Sequence, residues 1–260
     1  VPYVIERMQF GKSLSEFGLI RKKVADCSIS TYATESIMYR VAGLYDHAIA
    51  ALDKSDPEYD YKCIKAIEEY AIEASIAKVF GSEALWECAD EGVQAFGGYG
   101  FSAEYPMESI QRDSRINRIF EGTNEINRLI IPGTLLKRAM SGEFDLMGEI
   151  QGILKEIKQG FEVEPLGDFG SGTFKHRVNL AKKLTVYACG VAVQKFMQEI
   201  TDQQYILEKM ANMIIQVFAM DSVMKRTVQL LKQESQDDEL IPITKNNIPV
   251  CMTEVFISEA

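Results

Sequence analysis

Histidine is almost absent from this 260-residue chain: His47 and His176 are the only two, too few for a histidine-rich metal site or a serine-type catalytic triad. The five cysteines, Cys27, Cys63, Cys88, Cys189 and Cys251, are odd in number, far apart and never in a C-x-x-C pair. That pattern fits reduced, buried thiols and argues against a disulfide framework or a zinc site, so no metal is expected. No apolar stretch approaches the ~20 residues that span a bilayer. Surplus positive charge is missing as well. With 28 Lys/Arg against 38 Asp/Glu the net charge is −10, which argues against nucleic acid, whose phosphates need a basic footprint. Residues 1–140 carry 16 basic and 21 acidic side chains and residues 141–260 carry 12 and 17, so each half stands at −5 and neither is a charged tail. The chain opens at Val1-Pro2-Tyr3 with neither Met nor a signal-like segment, and reads as a fragment or processed chain.

Alternating strands and hairpin signals are also missing, and helical spacing runs through nearly everything. Phe17, Ile20, Val24, Cys27, Ile37, Val41 and Leu44 predict a helix over 15–52, and Ile64, Ile67, Ala71, Ala74, Val79, Leu85 and Cys88 predict a second over 61–96. The glycines at 97–100 end it, because glycine tolerates positive φ. Pro106 suits the first turn of a third helix reaching 119, and Thr123 suits the cap of a fourth reaching 139. Further helices are expected over 146–158, 176–200 and 203–233, with 160–173, which holds Pro165, Gly167, Gly170 and Gly172, as a connector. The expected fold is therefore all-α: a four-helix bundle over residues 1–140 and a second helical region over 141–260. Trp86, alone on its helix, is assigned to the core.

Glu121 stands between the third and fourth helices, flanked by Phe120 and Gly122. A carboxylate beside an aromatic ring and away from water resists ionisation, which suits a general base, and Gly122 lets a ligand approach the backbone. Alone, these residues fit an exposed helix-capping glutamate better. Around them, however, lie Gln94-Ala95-Phe96-Gly97-Gly98-Tyr99-Gly100-Phe101, then Arg112-Asp113, then Ile119-Phe120-Glu121-Gly122-Thr123-Asn124-Glu125-Ile126, and far upstream Glu6-Arg7-Met8-Gln9-Phe10-Gly11-Lys12. In this order and spacing they resemble the flavin-binding and active-site signature of the acyl-CoA dehydrogenases.

The resemblance implies FAD as cofactor, a fatty acyl-CoA as substrate and electron-transferring flavoprotein as the electron acceptor. It makes Glu121 the base that removes the α-proton while the β-hydrogen leaves as hydride to FAD, with the Glu121 N–H gripping the thioester oxygen and Phe120 and Gly122 beside the substrate. Arg7, Gln9 and Phe10 match the family's Arg-x-x-Phe-Gly turn, whose arginine meets the FAD pyrophosphate of a neighbouring subunit. Gln94, Gly97 and Gly98 match the segment at the adenosine-diphosphate part, and Thr123, Asn124 and Glu125 match positions that touch the flavin. Leu14 and Phe17 are candidates for the adenine side or for plain core, and Arg112, Asp113, Arg115 and Arg118 for ion pairs that fix the loop before Glu121. The resemblance further implies a homodimer or homotetramer. It also implies that two other domains complete the flavin site, so the chain alone should bind FAD poorly. Residues 204–220 faintly resemble the extension of the very-long-chain members, which raises membrane-surface association. Elsewhere in the extension Lys175, His176, Arg177, Lys182 and Lys183 form a local basic cluster, yet the −5 of this half counts against that association. Bacterial cytoplasm is the expected compartment, with the mitochondrial matrix as the alternative. An acyl-CoA oxidase, or a non-catalytic helical assembly module, remains open as a different reading.

Overall fold

The computed structural model describes residues 1–159, 171–234 and 247–260. Helix α1 (Pro2–Glu6) carries proline in its first turn and leads into two short antiparallel strands, β1 (Met8–Gln9) and β2 (Lys12–Ser13), paired Met8 to Ser13 and Gln9 to Lys12. This hairpin departs from the expectation of none. Its two-residue loop holds Phe10 at φ 53° and Gly11 at φ 81°, the double positive φ of a type I′ turn. A phenylalanine in the first of those positions hides the signal that Asn or Asp would give. Ser13 then closes a capping box with Glu16, and helix α2 (Gly18–Ala50) begins.

The helix expected over 61–96 is two helices, α3 (Tyr59–Glu68) and α4 (Ala71–Phe96), because Tyr70 leaves helical geometry at φ −98°, ψ 28°. There follow α5 (Gly98–Phe101), α6 (Pro106–Ile116), α7 (Asn124–Met140) and α8 (Leu146–Gln159). Most of the expected connector, residues 160–170, lies outside the described residues. Helix α9 (Ser171–Phe196) starts earlier than its periodicity suggested, and beyond it the chain tightens into a 3₁₀ stretch, Met197–Asp202. Helix α10 (Gln204–Glu234) is followed by α11 (Ile248–Glu259), which the apolar pattern did not single out. Asn247 caps it by accepting from the Val250 N–H, and Pro249 sits in its first turn.

Helix α10 is the packing centre. Ala211, Ile215, Ala219 and Val223 recur every four residues and all are buried, so they form one stripe that lies against α2, α4 and α7. Ile72, Ile76, Val79 and Ile131 meet Ala211 and Ile215 in one cluster, while Ile37 and Val41 meet Ala219 in another. A different face places Leu207, Met210, Met220 and Leu231 among side chains of α7, α9 and α11. Burying each Ile or Val contributes ~1.5–3 kcal/mol, so the two stretches on either side of residue 140 share one interior. Trp86 is not in it. The indole is only partly buried, with the Arg115 guanidinium 5.9 Å above the ring.

Polar seams join the same elements. The buried Asp221 carboxylate takes Arg40 at 2.8 Å, Lys182 at 2.6 Å and Lys225 at 2.7 Å. Tyr32, Thr227 and Thr253 share hydroxyl hydrogen bonds at 2.7 and 2.6 Å across α2, α10 and α11. These contacts also alter the reading of the basic cluster: Arg177 pairs with Glu254, Lys182 with Asp221 and Lys183 with Glu156, so three of its cations are engaged within the protein. No helix among the described residues is long and apolar enough to cross a membrane.

Candidate active site

Two regions predicted separately come together at the N-terminal end of the chain. Tyr3 stacks on Phe96 with ring centroids 3.9 Å apart, and its hydroxyl donates to the Phe96 carbonyl at 3.3 Å. That contact lays the hairpin beside the end of α4 and opens a groove of about 450 Å³ whose walls include Arg7, Gln9, Phe10, Leu14, Gln94, Gly97 and Gly98. Arg7 lies over the Tyr99 ring at 5.0 Å. Gly97 has φ 63° and ψ −140°, a conformation open to glycine alone, and a Cβ there or at Gly98 would meet nothing within 4 Å. The groove floor is therefore bare backbone. Phe10 is 92% exposed and Phe17 stands edge-on to it at 6.3 Å rather than lining the groove.

Glu121 lies elsewhere, on the turn between α6 and α7. It has φ 56°, and Gly122 after it φ 76°, so two consecutive residues occupy the left-handed region. A glutamate resists that region by ~1–2 kcal/mol, and such strain persists only where the surroundings enforce it. The enforcing contacts are specific. Lys78 donates to the Gly122 carbonyl and to Asn124 Oδ1, both at 2.7 Å, and Asn127 Nδ2 donates to the same carbonyl at 2.9 Å. The Asn124 N–H reaches back to the Arg118 carbonyl at 3.1 Å, and Thr123 caps α7 by accepting from the Ile126 N–H at 3.2 Å. The Glu121 N–H has no acceptor among the described residues. Glu121 is exposed and Phe120 is 47% exposed, so the expected shelter from water is not supplied by the described residues.

Of the side chains behind the turn, the sequence pointed to Asn124 but not to its partners Lys78, Ser82, Glu83, Arg128 and Asn212. Asn124 is 1% exposed, and its amide is fully engaged: Nδ2 donates to Ser82 at 3.0 Å and to Glu83 at 3.1 Å. Glu83 forms a bidentate pair with Arg128 at 2.8 and 2.7 Å, and Arg128 Nε donates to Asn212 Oδ1 on α10 at 2.7 Å. Burial would raise the Glu83 carboxyl, but the bonds from Arg128 and Asn124 outweigh it and hold it below the ordinary carboxylate range. Burial pushes the Lys78 amine down, against the pull of Glu125, Glu83 and Glu121. The available signal was the interruption of the apolar face of α4 by Lys78, Ser82 and Glu83. Of the four charged residues expected to fix the loop, Arg118 comes within 3.9 Å of Glu83, Arg112 pairs with Glu108 of its own helix, Arg115 covers Trp86, and Asp113 is exposed with no ion pair among the described residues. Glu125 is exposed in the first turn of α7. Its own N–H and the Thr123 hydroxyl hold its carboxyl below the usual range.

A family model described as "Acyl-CoA dehydrogenase, C-terminal domain" matches residues 1–136, and a second of the same description matches residues 180–260. A "Probable acyl-CoA dehydrogenase" of Bacillus subtilis is 41% identical over 99% of this chain and 42% of its own length. The very long-chain specific acyl-CoA dehydrogenase of Bos taurus mitochondria is 31% identical over 90% of this chain and 35% of its own. The chain thus spans about two-fifths of these curated relatives. Among solved structures, an acyl-CoA dehydrogenase complexed with FAD from Bacillus anthracis superposes with a TM-score of 0.92 at 42% identity, covering 99% of this chain and 43% of that one. An acyl-CoA oxidase of Yarrowia lipolytica, at 16% identity and a TM-score of 0.69, shares the fold. The chain belongs to the acyl-CoA dehydrogenase family, and matches its C-terminal helical domains.

Proposed function

We propose that the protein carrying this chain is a FAD-dependent acyl-CoA dehydrogenase that introduces an α,β double bond into a fatty acyl-CoA thioester, with Glu121 as the base. The observation that carries this reading is the turn itself. A carboxylate held at a strained left-handed position, with its own N–H unused, presents a proton acceptor and a hydrogen-bond donor from one residue. The carboxylate takes the α-proton, and the N–H donates to the thioester oxygen as negative charge develops there. FAD, when bound, accepts the β-hydrogen as hydride. Gly122 keeps the approach open, and Phe120 gives the acyl chain an apolar neighbour.

The groove suits a dinucleotide. An arginine for phosphate, a carboxamide for hydrogen bonding and a bare glycine backbone are the donor set such a ligand needs. Arg7, Gln9, Phe10, Gln94, Gly97 and Gly98 would hold it, and Thr123 and Glu125 lie at the other site beside Glu121. Asn124 acts differently from the expectation of direct contact, because its amide is spent within the protein. The exposure of Phe10 supports a homodimer or homotetramer in which a second subunit faces this groove. Electron-transferring flavoprotein is the proposed electron acceptor. The greater identity to the Bacillus subtilis relative than to the mitochondrial one supports a bacterial cytoplasm.

The test is to add butyryl-, octanoyl- and palmitoyl-CoA anaerobically to the full-length protein and follow the flavin absorbance. Bleaching by at least one thioester, with electrons then passing to electron-transferring flavoprotein and little oxygen uptake, is expected. Bleaching coupled to rapid oxygen uptake would make the protein an oxidase, and no bleaching would leave the assembly role.

A further inference from the structure

The polar chain behind the Glu121 turn continues into α10, a helix of the C-terminal extension. Arg128 is the junction. Its two terminal nitrogens grip both oxygens of Glu83 and its Nε donates to Asn212 Oδ1 at 2.7 Å, so all three directions of the guanidinium fork are used. Glu83 Oε1 also accepts from Asn124, Asn124 Oδ1 accepts from Lys78, and Lys78 donates to the Gly122 carbonyl. From α10 to the backbone next to Glu121, every link is a hydrogen bond of 3.1 Å or shorter.

Close packing does not hold this junction. A cavity of about 350 Å³ lies on one side of Arg128, walled by Arg118, Tyr205 and Glu208, and one of about 320 Å³ lies on another, walled by Glu87, Ile215 and Gln216. The guanidinium has room to turn, and it is held by Glu83 on its two terminal nitrogens and by Asn212 on Nε together. Without that acceptor, Nε is left unpaired on a side chain only 16% exposed. Nε then takes water from the flanking cavities, and the Arg128–Glu83 pair loses the anchor on α10 that fixes its placement.

We propose that Asn212 is a positioning residue for the reaction: α10 sets the placement of the Glu121 turn through Asn212, Arg128, Glu83, Asn124 and Lys78. This rests on the reading of Glu121 as the base. It gives the extension a part in the chemistry beyond covering the bundle.

The experiment compares wild type with Asn212→Leu, which removes the acceptor at similar volume, Asn212→Asp, which keeps it, and Thr227→Val, which perturbs the same extension at the remote hydroxyl chain. Two quantities are read in the full-length protein: the rate of anaerobic flavin bleaching over a range of acyl-CoA concentrations, and hydrogen exchange of the Asn124, Ile126 and Asn127 amides in the FAD-free form. Asn212→Leu should lower the limiting bleaching rate about tenfold, the scale of one hydrogen bond to a charged group, with the half-saturating acyl-CoA concentration little changed. It should also speed exchange at the three amides. Asn212→Asp should restore both, and Thr227→Val should alter neither. Asn212→Ser, too short to reach Arg128, gives the same reading if the leucine variant does not fold. Unchanged rate and exchange in Asn212→Leu, or equal changes in Thr227→Val, would overturn the proposal. If wild type is not bleached at all, the reading of Glu121 fails, while the exchange comparison still decides whether α10 holds the turn.

Discussion

Glu121 and Gly122 show how much of the turn between α6 and α7 is decided by backbone geometry. Both sit at positive φ, and the Gly122 carbonyl is fixed by Lys78 and Asn127 together. A Cβ on Gly122 would come 3.2 Å from Asn127 Nδ2, so Gly122→Ala meets both a strained φ and a crowded amide. It should destabilise the fold by about 1–3 kcal/mol, measured by urea unfolding, and slow flavin bleaching more than it lowers stability. Asn124→Leu leaves Lys78 with one fewer acceptor and Ser82 and Glu83 with one fewer partner, all behind the turn. A loss of about 2–3 kcal/mol is expected in the same assay, and a change below 0.5 kcal/mol would mean that the network does not hold the turn. The place of the turn was legible in the sequence, because Glu121 falls at the joint between two helices and Thr123 is a cap residue, whereas the left-handed conformation of Glu121 was not. The network was not, because Asn124 meets Ser82 and Glu83 from 42 and 41 residues away, and helical periodicity reports only neighbours on one face.

Helix α10 ties the extension to the bundle through Asp221 as well as through its apolar stripe. Burial alone would raise the Asp221 carboxyl. The bonds from Lys182 and Lys225 and the charge of Arg40 outweigh it and hold the group below the ordinary carboxylate range. A carboxyl whose folded pKa is lowered adds stability that is present above the unfolded value of ~3.9 and is lost as pH falls through the folded value. Asp221→Asn should therefore lower the unfolding free energy by about 3 kcal/mol at pH 7, with the gap to wild type closing as pH drops below ~4. Urea titrations at pH 7 and pH 3 check this, and a gap that does not change with pH would exclude the ionised carboxylate as its source. The helices themselves were largely legible from the spacing of apolar residues. The hairpin at Phe10-Gly11 was not, since it turns on a positive φ that phenylalanine does not favour, and neither was the break at Tyr70, since the apolar spacing runs on across it. Residue 140 divides two stretches of sequence, whereas the buried side chains of Ile131 and Ile215 belong to one cluster.

At the scale of the whole molecule, the two halves of the proposed site are both open. The dinucleotide groove exposes Phe10 and Gln94, and the turn exposes Phe120 and Glu121. Among the described residues neither is closed off from water, and the chain spans about two-fifths of its relatives. The 260-residue chain alone should accordingly bind FAD weakly, and equilibrium dialysis that finds stoichiometric flavin would contradict this. The proposed role of the Glu121 carboxylate is decided by comparing anaerobic flavin bleaching in the full-length protein and its Glu121→Gln variant, with the thioester that reacts fastest. A bleaching rate lower by about 10³-fold in Glu121→Gln, with flavin content unchanged, is the result expected for loss of the base. Bleaching by Glu121→Gln at the wild-type rate would place the base on another residue.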